Sequence, residues 1–297
     1  MNNTIAGIRR GNKYSPNHIG NDAAIFNLTA DFLRQCGYEV KEYSETELIE
    51  TDIQESVIFN MVRDTASIQK LQELEKQGRI VINSAFGIQN CTRERMTRIL
   101  LANDIPHPES LIVNTGESLS LPLPFSSTLC WVKRGDFHAI HREDVSFARN
   151  PEEAESILTE YSLRDIKTAV INEHLQGDLV KFYGVAGSDF FYWFYPDEDS
   201  HSKFGWERIN GKAQGIPFNV CYLIALCDLA SEALNISIYG GDAVVMKDGS
   251  VKIIDFNDWP SFAPCRTLAA PYIARCIMDK IPANLLEPEI SLYDRNK

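Results

Sequence analysis

Residues 241–262 read GDAVVMKDGSVKIIDFNDWPSF, two apolar, β-branched runs joined at Asp248-Gly249. An Asp-Gly pair flanked in this way predicts a hairpin with a two-residue loop, in which Lys247 faces Ser250. Counting outward sets Asp242 opposite Asp255, with Cβ atoms about 4.5–5.5 Å apart on one face. The strand period of two returns Asn257 to that face. A loop with an odd number of residues would shift the register and undo the pairing. Two facing carboxylates repel each other unless positive charge lies between them. Asp, Asp and Asn supply hard oxygen donors of the kind Mg2+ takes, the ion keeping the rest of its shell for water and phosphate oxygens. The hairpin therefore points to a divalent cation carried on a nucleotide. The plainer alternative is a surface hairpin with polar tips.

The same segment resembles the last two strands of the ATP-grasp superfamily, in which an acidic pair is followed by N-x-x-P. Here those positions are Asp242, Asp255, Asn257 and Pro260. Within the superfamily the chain resembles the branch of ribosomal-protein glutamate ligases and glutathione synthetases. The resemblance implies an α/β (α+β) chain in which an ATP-grasp fold follows a small parallel-sheet α/β domain, with ATP and Mg2+, or Mn2+ in its place, as cofactors.

Hydrophobic patterning predicts strands over 5–8, 39–43, 57–60 and 80–83. Helices are predicted over 23–35, closed by Gly37, over 66–76, ended by Gly78, and over 93–103, stopped before Pro106. Such alternation argues for a parallel sheet covered by helices. No G-x-G-x-x-G follows these strands, so this unit does not read as a nucleotide site in its own right. It resembles the domain that precedes the ATP-grasp, including Ile58-Phe59-Asn60, the run Val81-Ile82-Asn83-Ser84 and the turn Ile105-Pro106-His107-Pro108. Beyond that turn, strands are predicted over 129–133, 169–174, 180–185 and 190–195, and helices over 151–161, 218–235 and 269–278, the last with a start blurred by Pro271. Three units result: 1–108, 109–184 with the Lys133 strand and the bend after it, and 185–297 with the metal hairpin.

A chain of 297 residues, 44% hydrophobic and 24% charged, is long enough for two or three packed cores. A net charge of −12 disfavours nucleic acid, whose phosphates are met by Lys and Arg. Seven cysteines without a C-x-x-C pair suggest neither a zinc ribbon nor a complete disulfide framework, and a reducing cytoplasm is expected. The N-terminus lacks the apolar stretch of a signal peptide. The apolar run 218–236 is interrupted by Asn219, Asp228 and Glu232 and reads as a buried helix rather than a membrane span. Small-molecule carboxylate and amine substrates are the expected partners, with no nucleic acid and no membrane; self-association into a homo-oligomer is left open.

Lys133 ends the apolar run Leu129-Cys130-Trp131-Val132, where a lone cation is either a strand-edge gatekeeper or a phosphate ligand. The resemblance implies the phosphate ligand. Residues 171–178, Ile-Asn-Glu-His-Leu-Gln-Gly-Asp, read as a strand entering a polar Gly turn. By resemblance this is the adenine hinge, with Glu173, His174 and Leu175 at the base and Asp178 at the ribose. Lys181 lies among apolar neighbours, and a buried Lys needs a partner or an anion; it resembles the cation that follows the hinge in several branches. Arg208, or its neighbour Lys212, matches the cation aimed at the transferred phosphoryl group or acyl phosphate, the alternative being a solvated loop charge. His138 and His141 lack a nearby third zinc ligand and are expected in a loop over the nucleotide.

Three positions depart from the superfamily pattern. The loop after Lys133 has only Gly135 where several small residues are common, and Arg93 and Arg95, with their register open, replace a second phosphate-contacting Lys. Asp255 stands where Glu is commoner. The implied reaction is ATP-dependent ligation of a carboxylate to an amine or thiol, through an acyl phosphate, on a small molecule or peptide. Two alternatives stay open: a small-molecule kinase, with a hydroxyl attacking the γ-phosphate in line, and a nucleotide-binding protein without turnover.

Overall fold

The computed structural model describes residues 3–14, 19–120, 122–137, 141–196 and 209–282. Its described strands form three four-stranded sheets. The first is wholly parallel and contains β1 (Thr4–Ile8), β2 (Glu39–Tyr43), β3 (Val57–Asn60) and β4 (Ile80–Ile82), in the order β2-β1-β3-β4. Helices α1 (Ile19–Gln35), α2 (Glu45–Glu50) and α3 (Thr65–Lys76) form the crossovers. Every residue of β1 and β3 is buried, as expected of strands covered on both faces. Gly37 and Gly78 follow α1 and α3 with φ near +90°, the left-handed geometry that ends a helix. The short α2 has a reciprocal Ser44–Glu47 capping box.

Two helices, α4 (Ala85–Asn90) and α5 (Arg93–Ala102), lead out of this domain. The second sheet is antiparallel and contains β5 (Ser110–Asn114), β6 (Cys130–Arg134), β7 (Val145–Ala148) and β8 (Thr168–Glu173), in the order β5-β8-β6-β7. Between β7 and β8, α6 (Pro151–Leu163) covers one face, packing Leu158 and Tyr161 on Val132 and Ile171. The third sheet, also antiparallel, contains β9 (Gly177–Val185), β10 (Phe191–Phe194), β11 (Ile238–Met246) and β12 (Val251–Asp258), in the order β10-β9-β11-β12. Between β10 and β11 runs α7 (Val220–Leu234), whose Leu223, Leu226 and Cys227 join Phe182 and Phe256 in one core. The chain then enters α8 (Arg266–Asp279), which packs in a core shared with α1.

Because β9 pairs with β10 and β11, the break between the second and third sheets falls at residues 174–176, not after 184. The first domain is fastened to the third sheet by buried polar contacts. Asn83 donates to the Ile238 carbonyl (2.8 Å) and accepts from the amides of Ser237 (3.0 Å) and Ile238 (2.8 Å). Arg63 pairs with the Asp258 carboxylate and donates to its carbonyl (3.1 Å), and Arg10 donates to the Trp259 carbonyl (2.9 Å). No described helix is long and apolar enough to cross a membrane, and all seven cysteines are free.

Candidate nucleotide and metal site

Asp242 does pair with Asp255, but not through the loop that the sequence predicts. Met246 and Ser250 pair across the hairpin end (2.8 Å), and Gly249 donates to the Met246 carbonyl (2.8 Å) with φ +80°. This is a three-residue loop with a left-handed glycine, and it shifts the register by one. The shift is reversed further along. Val245 faces Val251 and Ala243 faces Ile253, then Asp242 faces Asp255, so Ile254 is an extra residue in a β-bulge. The bulge brings the second carboxylate opposite the first.

Contacts on the outer edge of β12 hold that bulge. His107 Nδ1 donates to the Ile253 carbonyl (2.7 Å), Ile253 donates to the Pro106 carbonyl (2.9 Å), Lys133 Nζ donates to the Ile254 carbonyl (3.2 Å) and Phe256 donates to Met96 Sδ (3.2 Å). An edge strand needs such partners for its outward groups. Here α5, the Ile105–Pro108 turn and the second sheet provide them. Burial, reinforced by the Lys133 charge, pushes His107 down to about 3, so the ring is neutral when it donates. A histidine titrating near 6.5 when unfolded and near 3 when folded contributes its full stability above pH 6.5 and loses it as the pH falls toward 3. Urea denaturation of wild type should therefore lose about 2 kcal/mol between pH 7.5 and pH 5 that His107→Asn does not lose. Parallel pH profiles would contradict this.

Around the two carboxylates stand three cations. Lys181 Nζ lies 3.2 Å from Asp242 Oδ1, and Arg93, the first residue of α5, lies 3.0 Å from Asp255 Oδ2. Burial opposes the charge on Asp255, but Arg93, Lys133, an Asn257 hydrogen bond and Lys181 together hold its carboxyl below the usual range. Burial, with Arg93 adding to it, brings Lys133 down to about 7. Arg93 Nη1 is buried without a hydrogen-bond partner among the described residues, an arrangement that calls for an anion. No group of three or more His, Cys, Asp or Glu able to hold a metal occurs among the described residues. Asp242, Asp255 and Asn257 suit a cation that arrives with its own oxygen ligands, since the three cations would oppose a bare ion and attract a polyphosphate.

The bend at residues 173–175, where the adenine hinge is expected, lies beside this patch. Leu175, Leu179 and Val244 cluster with Met246 and Ile254 into an apolar floor. Glu173 and His174 use their amides on the carbonyls of Glu109 (2.9 Å) and Leu129 (3.0 Å), whereas the Leu175 amide has no partner among the described residues. The Glu173 carboxylate accepts from Lys252 (2.9 Å). Opposite, on the Lys133 face of β6, Trp131 Nε1 donates to His174 Nδ1 (3.2 Å). Among the described residues the site thus offers an apolar slot with an unpartnered Leu175 amide at one end and, at the other, three cations around two facing carboxylates.

No protein-family model matches the sequence, and no curated protein matches it. Solved structures do match over nearly the whole chain. A D-alanine–D-alanine ligase from Bacillus anthracis complexed with ATP superposes with a TM-score of 0.66 at 15% identity, covering 93% of this chain and 95% of that one. A RimK domain ATP-grasp protein from Sphaerobacter thermophilus gives 0.62 at 15% identity, covering 93% and 99%. The chain has the ATP-grasp fold. D-cycloserine synthetase DcsG is similar too, with a TM-score of 0.61 at 12% identity, covering 93% and 99%.

Within this ATP-grasp fold the predicted residues separate into three groups. Lys133, Lys181, Asp242, Asp255 and Asn257 converge on one patch, and Glu173, His174 and Leu175 line the bend beside it. Asp178 is drawn elsewhere, its two oxygens accepting from the amides of Gln214 (2.8 Å) and Ile216 (2.8 Å), so it clamps a loop instead of standing open to a ribose. Lys212 is exposed and has no hydrogen bond or ion pair among the described residues. Arg208 and His138 lie outside the described residues, and His141 is exposed at the start of a turn before β7. The open register of α5 is resolved: Arg93 points inward to Asp255 and Arg95 outward. Asn210, which carries no sequence signal, donates to the Leu175 carbonyl (3.1 Å) and pins the same loop over the hinge.

Proposed function

We propose that the chain is an ATP- and Mg2+-dependent ligase that activates a carboxylate as an acyl phosphate and joins it to an amine or thiol of a small molecule or peptide. The observation that carries this reading is the convergence of Lys133, Lys181 and Arg93 on the facing carboxylates Asp242 and Asp255, beside an apolar slot with a free hinge amide. The superposed ligases lend the fold-level analogy.

In the first step a substrate carboxylate oxygen attacks the γ-phosphorus, and ADP leaves with the electron pair of the broken P–O bond. The amine or thiol then adds to the activated carbonyl, and the collapse of the tetrahedral species expels inorganic phosphate while the nucleophile loses its proton. Lys133, Lys181 and Arg93 offset the phosphate charge that both steps redistribute. Asp242, Asp255 and Asn257 would hold Mg2+, which when bound shields and polarises the phosphate oxygens. Arg208 keeps its sequence-based place as the cation for the acyl phosphate. No side chain is required as a covalent nucleophile.

Phosphorus NMR of the protein with Mg·ATP and a pooled extract of cytosolic small molecules tests this reading. ADP and inorganic phosphate formed only with extract support the ligase, a new phosphoester resonance makes it a kinase, and unchanged ATP contradicts turnover. A second expectation concerns protons. With Lys133 near 7 in the free protein, the arriving triphosphate raises it, so binding at pH 7.5 takes up a sizeable fraction of a proton. The calorimetric enthalpy should vary with the ionisation enthalpy of the buffer in wild type and be nearly invariant in Lys133→Met.

A further inference from the structure

The face that carries the metal residues continues beyond them, and its next row is aromatic. Cross-strand pairing on β9, β10 and β11 sets three rows side by side along that face: Leu179 with Val244, then Lys181 with Asp242 and Phe194, then Tyr183 with Gly240 and Tyr192. Successive rows are about 7 Å apart, two residues along a strand. The first row belongs to the apolar slot by the hinge and the second to the charged patch. A nucleotide with its base on the first row and its phosphates on the second directs its terminal phosphorus toward the third.

That third row, together with Phe194 of the second, forms a shelf. Tyr183 stacks on Phe194 with centroids 6.2 Å apart and planes 16° from parallel, and Tyr192 lies 5.9 Å from Phe194. All three rings are partly exposed. At the far end Phe262, fully buried, packs 5.1 Å from Tyr183 and closes the shelf. Gly240 leaves space for the Tyr183 ring to lie on the strand, since a Cβ there would fall 2.7 Å from Tyr183 Cδ1. Neither the Tyr183 nor the Tyr192 hydroxyl has a hydrogen-bond partner among the described residues.

We propose that the carboxylate substrate lies on this shelf and carries an apolar or aromatic group, which packs against Tyr183, Tyr192 and Phe194 while its carboxylate reaches the phosphates over Lys181 and Asp242. The proposal rests on the ligase reading above. Rings of this kind reward an apolar partner with offset or edge contacts. An acidic side chain would be desolvated against them, one row from the Asp242 carboxylate, and is disfavoured on both counts.

Saturation-transfer NMR titrations of the full chain with Mg2+ and a non-hydrolysable ATP analogue, using phenylalanine and aspartate as probes, test the proposal. Phenylalanine should bind at least tenfold more tightly than aspartate. Tyr192→Ser and Phe194→Ser should each weaken phenylalanine about tenfold, and Tyr192→Ser should leave the analogue affinity within twofold. Aspartate binding as well as phenylalanine, phenylalanine showing no binding, or both variants binding it like wild type would overturn the assignment. Should either Ser variant not fold, Tyr192→Gln supplies the same comparison. Failure of the analogue to bind would instead remove the ligase reading, and the two probes compared without nucleotide would still decide the shelf.

Discussion

Asp255→Ala is expected to lower turnover by about 10²–10³-fold, the range seen when one preorganised electrostatic partner of a reacting group is removed. The substitution takes away one of three candidate metal ligands and also the partner of Arg93 at 3.0 Å. Arg93 and Lys133 would then face each other with less counter-charge, and Lys133, already brought to about 7 by burial and Arg93, would fall further toward its neutral form. The metal ion that would accompany the nucleotide phosphates would lose one of its protein ligands. Asp255→Glu keeps the charge and should retain much of the activity. Steady-state release of ADP and phosphate measures the effect, and an alanine variant within tenfold of wild type would place the metal elsewhere.

Arg63→Ala is expected to cost about 3–5 kcal/mol of stability, because breaking a buried ion pair leaves one charge short of its partner in a medium that cannot solvate it. Asp258 is 1% exposed, and Arg63 reaches both its carboxylate and its carbonyl from the end of the first sheet. The pair joins two domains next to Asn257, so its loss should also loosen the metal end of β12. Replacing both partners by Arg63→Met and Asp258→Leu should cost less than Arg63→Ala alone. Urea unfolding of the three variants checks this. An alanine cost below about 1 kcal/mol would show that the pair is not what fastens the domains.

The hairpin shows how a sequence reading can reach the right pairing by a route the fold does not take. Asp-Gly suits a two-residue loop, yet the chain uses three residues, with Gly249 in the left-handed position. The bulge at Ile254 that restores the register is a tertiary feature. It depends on His107, Pro106 and Lys133, none of which a local pattern in residues 241–262 contains. The parallel sheet was legible because buried strands and capped helices alternate with clear periods. By contrast, α2 and α4, of six residues each, are too short for helical periodicity to separate them from loop.

Side-chain destinations were legible only in part. Lys133 and Lys181 had to be satisfied somewhere, and an apolar strand context announces that need. Whether Arg93 or Arg95 turns inward depends on how α5 lies against β12, which sequence does not encode locally. Asp178 next to a glycine looked like a ribose ligand, but its acceptor oxygens are taken by two amides of the loop that Asn210 also pins. That loop is positioned by contacts more than thirty residues apart in sequence.

We propose that a nucleoside triphosphate and a divalent cation bind together between the second and third sheets. Calorimetric titration of ATP into the full chain, with Mg2+ and then with EDTA, tests it most directly. Binding that requires Mg2+, and that Asp255→Ala and Lys133→Met each weaken at least tenfold, is the expected result. Binding of equal strength in EDTA, or in both variants, would contradict it.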